Sequence, residues 1–263
     1  MGSVDKVLRG VAAVIALAAL LVIAANPKFH VNFNSDAVKQ MSGDQLHRKA
    51  NARTGGYTFL LKSDDAVYPG RWCQGTIPYT LDLSQVAAAG MDPAAEADRW
   101  ATVLRRWEQA ARGHYRFVYA GQRSLKTKDD GQLDLDSIEA GTIGITYVHD
   151  DSGVGDPAYR AAAVHGRTAG NGGLQVTSNG AVPAGSLIGD RGFVMIDAQD
   201  AAALKAEGMR QALYQHESGH ALGLGHVRSD TSIMNGTLSD DRLELASGDI
   251  EGLRELTAMP CQP

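Results

Sequence analysis

His216-Glu217-Ser218-Gly219-His220-Ala221-Leu222-Gly223-Leu224-Gly225-His226 is the stretch of this chain whose residue types and spacing can do chemistry. His216 and His220 stand four apart, so on a helix both imidazoles leave one face, one turn apart. Two nitrogens placed this way can reach one zinc ion at about 2.0–2.1 Å. Glu217 follows the first of them directly, which sets its carboxylate beside a metal rather than on it. There it can take a proton from a water that the metal has acidified to a pKa of about 7. Catalytic zinc keeps three protein ligands and one open position. Gly223 lets the chain leave the helix through a left-handed turn, and His226 can then swing back as the third ligand. A chance set of histidines on an amphipathic helix is the plainer alternative, and the full pattern of fixed positions argues against it.

Such a site needs a helix, and the pattern supplies one from about Ala201 to Leu222. Asp92-Pro93 offers an N-cap and a first-turn proline for another helix. There Ala97, Trp100, Val103, Leu104, Trp107 and Ala111 recur at threes and fours up to Gly113. A third helix is expected from about Ser247 to Leu256. Strands are expected at Thr76–Leu83, Tyr115–Tyr119, Thr142–Val148 and Phe193–Asp197, with Leu174–Ser178 as a short edge strand. Strands alternating with helices imply a mixed α/β layer.

Composition narrows the class. The 263 residues are 44% hydrophobic and 21% charged, which excludes wholesale disorder. The net charge of −5 leaves no basic footprint, so no nucleic-acid partner is expected. One apolar run, Val11 to Ala25, follows Lys6 and Arg9 and ends at Asn26-Pro27. It reads as a signal peptide or, uncleaved, as an N-terminal membrane anchor. The run is short of the ~20 residues a spanning helix needs, and a buried helix is the remaining alternative. The cationic flank places the rest of the chain outside the cytoplasm, secreted or anchored on the far face of the membrane. Residues 1–25 are thus the address and 26–70 a polar linker, stalk or short pro-region. That region is expected to settle into structure around Tyr57 to Leu61. Residues 71–263 form the chemical domain.

HExxHxxGxxH, followed by Ser232-Ile233-Met234-Asn235, resembles the metzincin signature with its methionine turn. The short interval from His226 to Met234 is similar to that of the matrixins. Trp72 to Asp82 resembles their first strand, Trp107 and the following Phe117-Val118-Tyr119-Ala120-Gly121 their next helix and strand, and Ser247 to Leu253 their last helix. The resemblance spans roughly residues 70 to 258. It implies an α/β (α+β) zincin fold: a twisted, mostly parallel sheet with an antiparallel edge strand, an active-site helix and a C-terminal helix. It further implies a zinc endopeptidase with His216, His220 and His226 as ligands and Glu217 as general base. Met234 would form an apolar floor under the histidines. A protein or peptide substrate would lie along an edge strand between Ala161 and Ser178. Departures are visible too. Gly236 and Thr237 follow Asn235 where matrixins carry a proline and then a tyrosine, and the zinc-blocking PRCGxPD segment is missing. A catalytically weak zinc-bound binding module at the cell surface is therefore the alternative function, and a non-peptide amidase a more distant one.

Cys73 and Cys261 are the only cysteines. Outside the cytoplasm their default is a bridge worth about 4–5 kcal/mol in the chain-entropy model, with a free or zinc-blocking Cys73 as the alternative. His149, Asp151 and His165 resemble part of the matrixin structural-zinc set. The third histidine of that set has no counterpart near Val194 to Ile196. Asp150, Asp151 and Asp156 could bind calcium through oxygen ligands. A polar loop of solvated aspartates is the preferred reading for both.

Overall fold

The computed structural model of this chain describes residues 56–61, 68–126, 133–148, 169–177, 186–204, 207–237, 239 and 242–261. The apolar run at Val11–Ala25, and His149, Asp150, Asp151, Asp156 and His165, lie outside the described residues. No helix among the described residues is long and apolar enough to cross a membrane.

The elements, in chain order, begin with β1 (Thr58–Phe59), β2 (Tyr68–Arg71), β3 (Thr76–Asp82), α1 (Pro93–Ala110) and β4 (Arg116–Gln122). A 3₁₀ turn at Leu135–Ser137 leads to β5 (Ile143–Val148), β6 (Gly170–Thr177) and β7 (Ser186–Asp197). Then come α2 (Ala198–Ala203), α3 (Glu207–Ala221), β8 (Leu224–Gly225) and α4 (Ser247–Ala258).

The sheet runs β4-β3-β5-β7 with every pair parallel, and β2 lies parallel to the start of β7. β6 pairs antiparallel with β7, so the expected parallel sheet with an antiparallel edge strand is present. Every residue of β5 is buried, as a central parallel strand covered on both faces requires. The parallel neighbours β3 and β4 are joined through α1, because a parallel pair needs a crossover rather than a hairpin.

α1 starts where its sequence says it should. Asp92 accepts from the Ala94 amide at 2.9 Å, and Pro93 takes the position whose N–H has no helical partner. Trp100, Val103, Leu104 and Trp107 bury its apolar stripe against the sheet and α3, at about 1.5–3 kcal/mol for each fully buried large side chain.

The long helix expected from Ala201 to Leu222 is instead two. Asp197 at the end of β7 accepts from the Asp200 amide at 2.8 Å, so a capped helix begins at Ala198, ahead of the apolar periodicity. Leu204 then leaves helical geometry (ψ 88°). Arg210, from α3, reaches back to the Ala201 and Leu204 carbonyls at 2.8 and 3.4 Å and satisfies groups the interruption would strand. An arginine reaching across a break leaves no periodic trace. β7 is also longer than the Phe193–Asp197 stretch suggests, and β6 begins at Gly170 rather than Leu174.

β1 belongs to the domain. Thr58 pairs with Gly225 and Phe59 with Leu224, so part of the segment read as linker or stalk is built into the fold.

Candidate metal centre

α3 presents His216, Glu217 and His220 over its last two turns and ends at Ala221, and Gly223 lies in the turn that follows. Gly223 has φ +101°, and a Cβ there would stand 2.5 Å from the Gly70 carbonyl oxygen. Only glycine meets both demands. The reversal brings the chain through Leu224–Gly225 to His226.

The three histidines converge. Their Nε2 atoms are 3.0 to 3.1 Å apart in all three pairings. Each helical histidine is oriented by its other nitrogen. His216 Nδ1–H donates to the Ile233 carbonyl at 2.7 Å, and His220 Nδ1–H to the Leu224 carbonyl at 2.8 Å. A carbonyl only accepts, so these bonds fix the tautomer and leave both Nε2 atoms with bare lone pairs. Lone pairs aimed at one another repel unless a cation sits among them. A point about 2.0–2.1 Å from all three nitrogens lies about 1 Å out of their plane, a position that suits tetrahedral zinc with its fourth site open. Burial, followed by the charges of His216 and His226, holds His220 well below the ordinary imidazole range. His220 is buried, His216 half-buried and His226 exposed, so the site opens on the His226 side. Among the described residues, no other cluster of histidine, cysteine or carboxylate side chains is arranged to hold a metal.

Glu217 is buried between α3 and β6, with its carboxyl against the backbone of Gly170. Burial pushes that carboxyl up to about 8, and a backbone hydrogen bond from Gly172 partly opposes the rise. The close approach of the two elements depends on Gly172, where a Cβ would fall 2.0 Å from the Glu217 carbonyl oxygen.

Met234 lies beneath α3, its sulfur against Gly219 between the two helical histidines. The residue that holds this turn carries no signature of that role in the sequence. Asp249 of α4 accepts from Ser232 Oγ, from the Ile233 and Met234 amides at 3.0 and 3.4 Å, and from the Ala246 amide at 2.8 Å. Its spacing to Ala246 marks it only as a helix-capping acid, which gives no sign of a partner in another loop. Equally unread was Glu96, buried in α1, which accepts from Tyr147 and Tyr214 at 2.9 and 2.6 Å and pairs with Arg210 at 3.0 Å. That carboxylate ties α1 and β5 to α3, with Tyr214 two residues before His216. Trp107 Nε1–H donates to Ser218 Oγ at 2.9 Å, and Trp72 Nε1–H to the Ala221 carbonyl at 2.8 Å, so α3 is held along its length.

Past the methionine, Asn235 Oδ1 accepts from the Thr237 amide and hydroxyl at 3.0 and 2.9 Å, and Gly236 passes close beneath the His226 ring. Cys73 and Cys261 are bonded, with Cα atoms 5.4 Å apart. No curated protein matches this chain. A family model described as Matrixin matches residues 118–258, a span that takes in the sheet from β4 onward, the three histidines, Met234 and α4. With more than half of its length matched and the metzincin fold in place, the chain belongs to the matrixin family of zinc-dependent peptidases.

Proposed function

We infer that this protein is an extracytoplasmic zinc endopeptidase in which His216, His220 and His226 bind the metal and Glu217 is the general base. The observation that carries this reading is the convergence of three Nε2 atoms, two of them fixed as unprotonated, beside a buried carboxylate. When bound, zinc supplies a Lewis acid that acidifies water and polarises a carbonyl. Glu217 accepts the proton of the attacking water at its carboxylate and later returns it to the leaving amine.

Among the described strands, β6 pairs only with β7. Its other edge can take an extended peptide by main-chain hydrogen bonds, which favours peptides over other amides. Glu217 packs against Gly170 at the start of that strand, so a peptide on this edge runs past the carboxylate. The bonded cysteines and the apolar run behind Lys6 and Arg9 support a place outside the cytoplasm.

Purified protein is expected to contain about one zinc per chain and to cleave unfolded casein. 1,10-phenanthroline should abolish cleavage. Glu217→Ala should lower kcat on the order of 10²–10⁴-fold while the zinc stays bound. Cleavage that survives Glu217→Ala would remove Glu217 as the base, and zinc-free protein prepared without chelator would remove the reading altogether. A quenched-peptide library separates an endopeptidase from a non-cleaving zinc module.

A further inference from the structure

His226 stands off the helix that carries the other two histidines. His216 and His220 sit on a helix pinned by Trp107, Trp72 and Gly172, and their rings are clamped by the Ile233 and Leu224 carbonyls. His226 is exposed and lies beyond the helix, past a two-residue strand. That strand is paired by residues far away in sequence. Thr58 and Phe59 lie antiparallel to Gly225 and Leu224, and the Leu60 amide donates to the Gly223 carbonyl at 2.8 Å. The Thr58 hydroxyl donates to the backbone carbonyl of His226 itself at 2.7 Å. The other end of the segment is moored to α4, because Tyr57 packs on Gly252 and its hydroxyl donates to Glu255. One short segment therefore runs beside the connection from Gly223 to His226 and ends on the third histidine.

We propose that Thr58 is a positioning residue for the metal centre. Its hydroxyl, carried on β1, holds the Gly223–His226 connection at the path that brings the His226 ring onto the other two nitrogens. This rests on the reading of the three histidines as zinc ligands. The physical reason is that a third ligand on a free connection must be ordered each time the metal binds, and a connection already paired avoids that loss. Partners that orient ligands from outside the coordination sphere typically change metal affinity 10–100-fold when removed. The Thr58 bond is solvent-exposed, so the low end of that range applies.

The test uses the full chain and zinc alone. Thr58→Val keeps the shape and removes the donor, and Thr58→Ser restores it. Zinc affinity is measured by competition with a chromophoric chelator, and the melting temperature of the metal-free protein is followed in parallel. Thr58→Val should weaken zinc binding about tenfold and speed its release, while Thr58→Ser stays near wild type. Metal-free melting temperatures should be alike across the three. Wild-type affinity in Thr58→Val overturns the proposal, as does equal weakening in both variants, since the hydroxyl would not then be the agent. Wild type that binds no zinc would instead overturn the metal reading on which the proposal rests.

Discussion

Asp249 shows how much of a site can rest on one side chain that touches none of its chemistry. Four donors converge on its carboxylate, two of them amides of the turn that carries Met234. Asparagine there would aim an NH₂ group at donors. Asp249→Asn should therefore destabilise the metal-free protein by about 2–4 kcal/mol in urea unfolding. Burial, opposed by those hydrogen bonds, raises the Asp249 pKa above its ordinary 3.8. A raised folded-state pKa means a contribution that is complete below the unfolded value and lost as pH rises through the folded one. The wild-type advantage over Asp249→Asn should thus narrow as pH climbs from below 3.8 through the acidic range. A gap that widened would reverse the assignment. The histidines and Glu217 were legible because a helix converts fixed spacing into fixed direction. Asp249, Glu96 and Thr58 were not, because their partners stand far off in sequence and only the finished fold brings them together.

At the scale of elements, the helices and central strands read well where one face alone decides burial. α1 opens at Pro93, where Asp92-Pro93 pointed, and ends at Ala110, one residue before the last position of its apolar stripe, and β5 sits where Thr142–Val148 pointed. Periodicity gives way where a cap or a distant arginine overrides it, as at the junction of α2 and α3. It also falls short at β6, whose glycines look like loop chemistry. They serve close packing. At Gly172 a methyl group would enter the backbone of α3 beside Glu217. Gly172→Ala should cost about 1–3 kcal/mol of stability and push β6 off the helix. Circular dichroism melts with casein assays check this, and the loss of cleavage should exceed what the unfolded fraction explains. Unchanged stability and cleavage would mean that the strand yields freely.

Over the whole molecule, the two cysteines, expected to form a bridge, close a separation of 188 residues. Arg71 adds a buried guanidinium that donates to the carbonyls of Pro69 and Pro260, beside the bridge. Cys261→Ser should lose about 2–5 kcal/mol and lower the melting temperature on the order of 10 °C. Calorimetry of oxidised and reduced wild type should show the same drop. An unchanged melting temperature after reduction would mean that Arg71 and packing hold the tail alone.

The contacts of α4 also bear on timing. A ribosome releases His216, His220 and His226 before Ser247, and Asp249, Glu255 and Cys261 come last. Until those residues emerge, the turn under the histidines lacks its acceptor, β1 lacks its mooring and the ends lack their bond. The metal ligands thus emerge shortly before the residues that frame them. A copy stopped between His226 and Ser247 carries the ligands without the frame that holds them in place.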